Sequence, residues 1–279
     1  MLAVAMTESI EISGGRIESL TLEGGPGTPL VVLGGVETGL RLLTGTEQLL
    51  RRRWEGRTAA RRVTILGRPI PDERSDADRI MHPRLMADAV ATALQALGLG
   101  PVAVEAESGG GRVTMWLTVD HPELVARLVL AAVASETPPG SPMADRMHRW
   151  IELGEAGDWG RFFASMAHLM KAANEGESGS FATAARLQPR PATPERFLGE
   201  LRTTLDPSSF VTDRLGEISV PVLVLAGELD QVVPLAATRL VAERIRGARI
   251  VTDPDCGHTV RSSFRGYDEL VDAFLAEGD

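Results

Sequence analysis

Apolar runs alternate with amphipathic stretches along most of this chain, and the alternation predicts strands separated by helices. Short apolar runs bounded by glycine or polar residues are typical of strands buried on both faces, and they occur at residues 30–33, 63–66, 102–104, 126–131, 220–226 and 248–252. Helical character or helical spacing of apolar residues predicts helices at about 40–53, 83–97, 112–119, 235–245 and 267–275. This order, with short connections, predicts an α/β fold with a mostly parallel, doubly wound central sheet.

Two regions depart from this alternation. Residues 8–24 alternate loosely around Gly14-Gly15, which predicts a hairpin at the sheet edge, closed by the glycine-rich turn at 24–27. After Ser135 the strand pattern stops, and helical segments are predicted around 143–153, 159–173 and 194–205. We therefore expect a core domain formed by 1–136 and 211–279, and a helical cap inserted at 137–210.

The stretch from Val102 to His121 contains the first candidate for chemistry. Its apolar strand must turn into a helix within about four residues, which strains the backbone at the tip of the turn. The tip residue is Ser108, and the residues two before and two after it, Ala106 and Gly110, are both small. Because the helix that follows directs free backbone N–H groups and its positive dipole end towards the turn, this arrangement predicts a nucleophilic serine.

A serine hydroxyl needs a base to accept its proton, and that base needs a carboxylate to orient it. Of the five histidines, His258 lies in a loop directly after the last predicted strand, preceded by Gly257. Asp230 follows a central strand by four residues, in a turn closed by Pro234. These positions predict His258 as the base and Asp230 as its carboxylate. Cys256, next to Gly257, is expected to be a small buried residue.

Three patterns in this order resemble the α/β-hydrolases: small-x-Ser-x-small at 106–110, Gly-x-x-Asp-x-x-x-Pro at 227–234, and Gly-His at 257–258. The resemblance covers roughly residues 8–277, with the insertion similar only in position and helical character. It implies a nucleophile elbow at Ser108 and an oxyanion hole formed by the backbone N–H groups of Gly109 and Val36. It also leaves Glu136 as an alternative acid, because some relatives carry the carboxylate in that region.

The sequence departs from the family pattern at two places. Ala106 stands where glycine is more common in the family, and Gly34-Gly35 stands where many members have His-Gly. The loop that precedes Val36 therefore lacks the histidine that usually steadies it. The hole can still form, since its donors are backbone groups.

The resemblance implies a cofactor-independent serine hydrolase that cleaves an ester, thioester or related acyl bond of a small, largely apolar substrate through an acyl-enzyme. A serine nucleophile disfavours epoxide and haloalkane hydrolysis, which use a carboxylate in this fold. Two alternatives stay open. The same three residues could serve cyclisation, C–C bond hydrolysis or a lyase step in a biosynthetic pathway, or the chain could be a non-catalytic ligand-binding protein. An intact Ser-His-Asp set argues against the second.

Several residues are candidates for the substrate pocket. Glu37 follows the expected oxyanion residue and Glu107 precedes the serine, so either carboxylate could select a polar or cationic group or simply be solvated. In the predicted cap, Trp150, Phe162 and Met166 belong to a set of aromatic and methionine residues. Part of this set is expected to form the core of the cap, and part to line an apolar pocket.

Composition narrows the classes of partner and compartment. A net charge of -9 argues against binding to nucleic acid or to an anionic membrane surface. The single cysteine cannot form an internal disulfide, which suits a reducing cytoplasm. The sequence shows no signal-peptide pattern, no run of 18 apolar residues, no metal-ligand spacing and no phosphate-binding loop. We expect a cytoplasmic enzyme with a small-molecule substrate and no metal; a homodimer is left open.

Overall fold

A mostly parallel sheet forms the centre of the computed structural model, which describes residues 5–35, 46–170 and 194–279. Strands β1, β2, β5, β6, β7 and β8 follow one another across the sheet in that order, and β3 and β4 pair with β2. The strand bounds are β1 Ala5–Ile12, β2 Gly15–Leu33, β3 Arg61–Leu66, β4 Ile70–Pro71, β5 Val102–Glu107, β6 Val125–Ala131, β7 Val222–Gly227 and β8 Arg249–Asp253.

Helices in the described part of the chain cover both faces of the sheet and also fill the region between β6 and β7. Their bounds are α1 Thr46–Thr58, α2 Ala77–Ile80, α3 Pro83–Ala96, α4 Gly109–Asp120, α5 Pro142–Glu155, α6 Trp159–Met170, α7 Pro194–Leu205, α8 Leu235–Arg244, α9 Val260–Ser263 and α10 Tyr267–Ala276. The helix predicted at 40–53 corresponds to α1, although residues 40–45 lie outside the described residues. None of the described helices is long and apolar enough to cross a membrane.

The strand β2 differs from the prediction of a hairpin strand and a separate central strand. It is continuous from Gly15 to Leu33 but folds back on itself around β3. Residues 19–22 pair with 66–63 in descending order, whereas 30–33 pair with 63–66 in ascending order. The predicted turn at 24–27 lies between the two halves, and a Cβ on Gly24 would lie 2.2 Å from the Arg61 carbonyl oxygen. Glycine is needed there because the two backbones pass so close.

Two apolar layers enclose the parallel strands, as expected for a doubly wound sheet. One layer packs α3, α4 and α8 against the sheet, with Met86, Val113 and Val241 buried in it. The other layer packs α1 and α10 against the opposite face, with Trp54 and Phe274 buried in it. Strand β5 lies between β2 and β6 and is buried along most of its length. Its carboxyl end therefore emerges at the centre of the sheet, where the elbow begins.

The insertion between β6 and β7 has its own aromatic core. Phe162 in α6 is completely buried, and its ring centroid lies 5.4 Å from that of Trp159 and 5.2 Å from that of Phe197 in α7. Trp150 in α5 packs on the same ring at 6.1 Å. The three helices α5, α6 and α7 thus share one cluster. The division of the chain at 137–210 stays a prediction, and residues 171–193 lie outside the described residues.

Replacing Phe162 by alanine is expected to destabilise the protein, because the substitution would leave a cavity in the middle of this cluster. The free energy of unfolding, measured by urea denaturation, should fall by about 3–5 kcal/mol. Phe163→Ala is the matched control, since Phe163 is adjacent in the same helix but only half-buried. Equal losses in the two variants would contradict a core role for Phe162.

Candidate active site

The strand β5 and the helix α4 meet at Ser108 in a sharp turn. Ser108 has φ +53° and ψ -125°, a conformation that L-residues rarely adopt. The close approach on one side explains the small residue at 110: a Cβ on Gly110 would lie 2.5 Å from the Gly34 carbonyl oxygen and 2.6 Å from that of Leu33. Ala106 is fully buried in the strand, so a methyl group is accommodated on the other flank. The turn leaves the Ser108 side chain partly exposed.

The structure brings Ser108, His258 and Asp230 into one hydrogen-bonded chain. His258 Nε2 lies 3.0 Å from Ser108 Oγ, and His258 Nδ1 lies 2.8 Å from Asp230 Oδ2. The other carboxylate oxygen of Asp230 accepts the backbone N–H groups of Val232 and Val233, each at 2.8 Å. Asp230, rather than Glu136, is thus the carboxylate bonded to the imidazole. Because a carboxylate oxygen accepts, Nδ1 carries the proton towards Asp230, and Nε2 is left to accept from Ser108.

Close packing of two loops places Asp230 beside His258. A Cβ on Gly227, at the end of β7, would lie 2.3 Å from the Gly257 carbonyl oxygen and 2.4 Å from that of Cys256. The Leu229 N–H also donates to the Cys256 carbonyl at 3.0 Å. Residues 254–263, the loop after β8 together with the short helix α9, are called the histidine loop. Glycine at 227 therefore allows the histidine loop to lie directly on the loop that carries Asp230.

The environment of His258 favours its protonated form. Burial of the imidazole lowers its pKa, but the charge of Asp230, its hydrogen bond and a smaller contribution from Glu107 outweigh burial and raise the pKa above the ordinary histidine value. His258 is only 3% exposed. An imidazole in this setting is held in one orientation and is stabilised when it is protonated. In contrast, burial raises the pKa of the Cys256 thiol to about 11, so this buried residue does not resemble a nucleophile.

Only part of the expected oxyanion hole lies within the described residues. Gly109 begins α4 directly after Ser108, where backbone N–H groups at a helix start are available to a ligand. Gly35 packs against the serine, since a Cβ placed on it would lie 3.3 Å from Ser108 Cβ. Val36 and Glu37 lie outside the described residues, so their predicted roles stay predictions.

A cavity opens beside Ser108 between the core and the insertion. It is mostly apolar, and the charged side chains among its described lining residues are Arg112 and Glu200. The described lining comprises Pro83, Met86, Ser108, Gly109, Arg112, Ala134, Thr137, Met143, Met147, Glu200, Leu201, Thr204, Val232 and Val233.

The predicted pocket residues occupy other places. Trp150, Phe162 and Met166 lie in the core of the insertion, and the structure does not bring them to the cavity. Glu107 lies beside the histidine loop, where its carboxylate is 3.7 Å from the Arg261 guanidinium and accepts the Arg261 backbone N–H. It is not among the residues that line the cavity.

Sequence reasoning missed several side chains that do line the cavity. Met143 and Met147 stand four residues apart on α5 in the insertion, whereas Val232 and Val233 lie in the core, two and three residues after Asp230. The signal was present in their spacing: residues four apart share a helix face, and residues two or three positions after Asp230 lie near the same site. Arg112 lies four residues after Ser108 in the sequence, so about one turn of α4 places it on the same side as the serine.

Arg112 joins the start of α4 to both ends of the insertion. Its guanidinium donates to the Ala134 carbonyl at 3.3 Å and to Thr137 Oγ1 at 2.9 Å, where the chain leaves the core. It also donates to the Thr204 carbonyl at 2.8 Å and to Ser209 Oγ at 3.1 Å, where the chain returns. Burial lowers the pKa of Arg112 to about 10, so the side chain is still cationic at neutral pH.

Within the described ranges, no group of three or more His, Cys, Asp or Glu side chains is placed to hold a metal ion.

The chain is similar to known proteins both in sequence and in structure. The chain is 28% identical over 192 residues to a 2-hydroxymuconate semialdehyde hydrolase of Pseudomonas putida; the match covers 67% of this chain and 66%, just under two thirds, of that relative. An esterase of Exiguobacterium antarcticum has a TM-score of 0.79 at 20% identity, covering 97% of this chain and all of that one. A carboxylesterase of Bacillus subtilis has a TM-score of 0.73 at 17% identity, covering 99% and 93%.

The match to a family sequence model shows to which family the chain belongs. The sequence model described as the α/β hydrolase fold matches residues 77–260, which is more than half of the chain. An α/β-hydrolase enzyme from a Medee basin deep-sea metagenome library superimposes with a TM-score of 0.80 at 16% identity, covering 96% of this chain and 97% of that one. With its parallel sheet, its elbow and its inserted helices, the chain belongs to the α/β-hydrolase fold family.

Proposed function

We propose that this protein is a serine hydrolase that cleaves an ester, thioester or related acyl bond through an acyl-enzyme. The observation that carries the proposal is the hydrogen-bonded chain from Asp230 through His258 to Ser108, at 2.8 and 3.0 Å, on a strained strand–helix turn. The apolar lining of the adjacent cavity suits a small, largely apolar acyl or alcohol group.

In the proposed reaction, Ser108 Oγ attacks the carbonyl carbon of the substrate while its proton passes to His258 Nε2. The negative charge that forms on the carbonyl oxygen is stabilised by the backbone N–H groups of Gly109 and Val36. His258 then donates the proton to the leaving group as the carbon–oxygen or carbon–sulfur bond breaks. Water, deprotonated by His258, attacks the acyl-enzyme, and the acid product and free Ser108 are released.

C–C bond hydrolysis by the same three residues is the alternative reaction. We keep this alternative because the relative from Pseudomonas putida is named for a semialdehyde rather than an ester. Parallel assays of ester and semialdehyde substrates would rank the two. A folded protein that turned over neither would favour the ligand-binding alternative.

Stopped-flow hydrolysis of p-nitrophenyl butanoate tests the acyl-enzyme. The parent protein is expected to release a burst of about one p-nitrophenol per active site, because acylation precedes slower release by water. Ser108→Ala should lose the burst and at least about 10³-fold of kcat. Ser262→Ala, an exposed serine on the histidine loop, is the control and should keep both. A full burst in Ser108→Ala would rule out this nucleophile.

The pH dependence of kcat/KM is expected to follow His258. His258 must be neutral to accept the serine proton, so activity is lost as the pH falls through its pKa. Because that pKa is raised, the acidic limb should lie above the ordinary histidine value of about 6.5. Glu107→Gln removes a negative charge that favours the imidazolium, so the limb should move to lower pH.

The amide oxygen that this substitution introduces can still accept the Arg261 backbone N–H, so the histidine loop should keep its position. Glu123→Gln, an exposed carboxylate after α4, is the matched control and should leave the limb unchanged. A limb that stays in place or moves to higher pH in Glu107→Gln would refute the influence of Glu107 on His258.

A further inference from the structure

A buried ion pair connects the insertion to the backbone segment beside Ser108. Arg68, which follows β3, is 4% exposed, and Glu200 in α7 is 3% exposed. Arg68 Nε donates to Glu200 Oε1 at 3.0 Å, and Nη2 lies 2.8 Å from the same oxygen. Arg68 Nη2 also donates to the Gly34 carbonyl oxygen at 3.0 Å. One guanidinium thus holds the insertion and the end of β2 together.

The Gly34 carbonyl lies against the elbow. A Cβ on Gly110, in the first turn of α4, would lie 2.5 Å from that oxygen, so the carbonyl packs directly on the turn. The next residue, Gly35, lies against the Ser108 side chain. Because a peptide unit is planar, fixing the Gly34 carbonyl also fixes the direction of the Gly35 N–H. Any movement of this unit would change how Gly35 packs against Ser108.

Two consecutive glycines bring no side chain that could hold their own backbone in place. Glycine also has more backbone freedom than any other residue, so the constraint must come from outside the segment. Arg68 supplies one such constraint at the Gly34 carbonyl, and Arg68 is itself fixed by Glu200. A buried ion pair is often no more stabilising than an apolar pair of similar shape. Stability alone therefore does not explain why the ion pair is there. The Gly34 carbonyl is the backbone group that the pair holds in place.

We propose that Arg68 is a positioning residue, which holds the Gly34–Gly35 peptide against Ser108 and the start of α4, where the Gly109 N–H is available to the substrate oxygen, and that Glu200 acts through Arg68. The inference rests on the proposed function, since it concerns the transition state of acyl transfer. Charge develops on the substrate oxygen only in that state, so loss of the positioning should lower kcat more than it changes KM.

The test compares Glu200→Gln with the double variant Arg68→Met/Glu200→Gln. Both have the same neutral side chain at the cavity wall, and the double variant leaves no unpaired buried charge. Steady-state hydrolysis of p-nitrophenyl butanoate is measured, with kcat divided by the number of sites that a fluorophosphonate can titrate. The double variant should show a kcat about 10- to 100-fold below that of Glu200→Gln, with KM within about threefold.

Thermal unfolding followed by circular dichroism shows whether the variants are folded. Should the double variant not fold, Arg68→Lys decides: an ammonium keeps the charge but lacks the planar fork, so kcat should fall and KM stay. Equal titre-corrected kcat values for Glu200→Gln and the folded double variant would overturn the proposal, as would parental kcat in Arg68→Lys. A parent protein that neither hydrolyses the ester nor reacts with the fluorophosphonate would instead overturn the proposed function.

Discussion

The backbone conformation of Ser108 is the constraint on which the site depends. A serine with φ +53° persists only where its surroundings hold it, and the surroundings here are backbone. The carbonyl groups of Leu33 and Gly34 approach Gly110 so closely that any side chain there would clash. The end of β2, the end of β5 and the start of α4 are therefore locked to each other. The hydroxyl is presented at the carboxyl edge of the sheet, where loops from β7 and β8 can reach it.

Buried charged side chains connect the backbone around Ser108 with segments that are distant from it in sequence. Arg112 bonds both ends of the insertion, and Arg68 bonds α7 and the Gly34 carbonyl. In β5, the strand that leads to the elbow, Glu105 is fully buried. Its carboxylate accepts hydrogen bonds from Arg57, Arg261 and the Tyr267 hydroxyl. Since Arg261 follows His258 by three residues, this network connects the strand that leads to Ser108 with the loop that carries His258.

The central parallel strands could be predicted from the sequence, because strands buried on both faces read as continuous apolar runs. Ser108, Asp230 and His258 were selected from local patterns that each follow from a turn, and the structure brings them into one hydrogen-bonded chain. The fold-back of β2 was missed, since its two halves are separated by a strand that comes later in the chain. Trp150, Phe162 and Met166 were expected partly at the pocket, because helical spacing shows an apolar face but not what covers it. The pairing of Arg68 with Glu200 spans 132 residues and leaves no local pattern.

Intact-mass spectrometry after incubation with a fluorophosphonate shows whether Ser108 is an activated nucleophile. An activated Ser108 should give a single adduct per chain, mapped to Ser108 by peptide analysis, absent from Ser108→Ala and strongly slowed in His258→Ala. Absence of an adduct on folded parent protein, or an adduct that persists in Ser108→Ala, would mean that Ser108 is not the activated nucleophile.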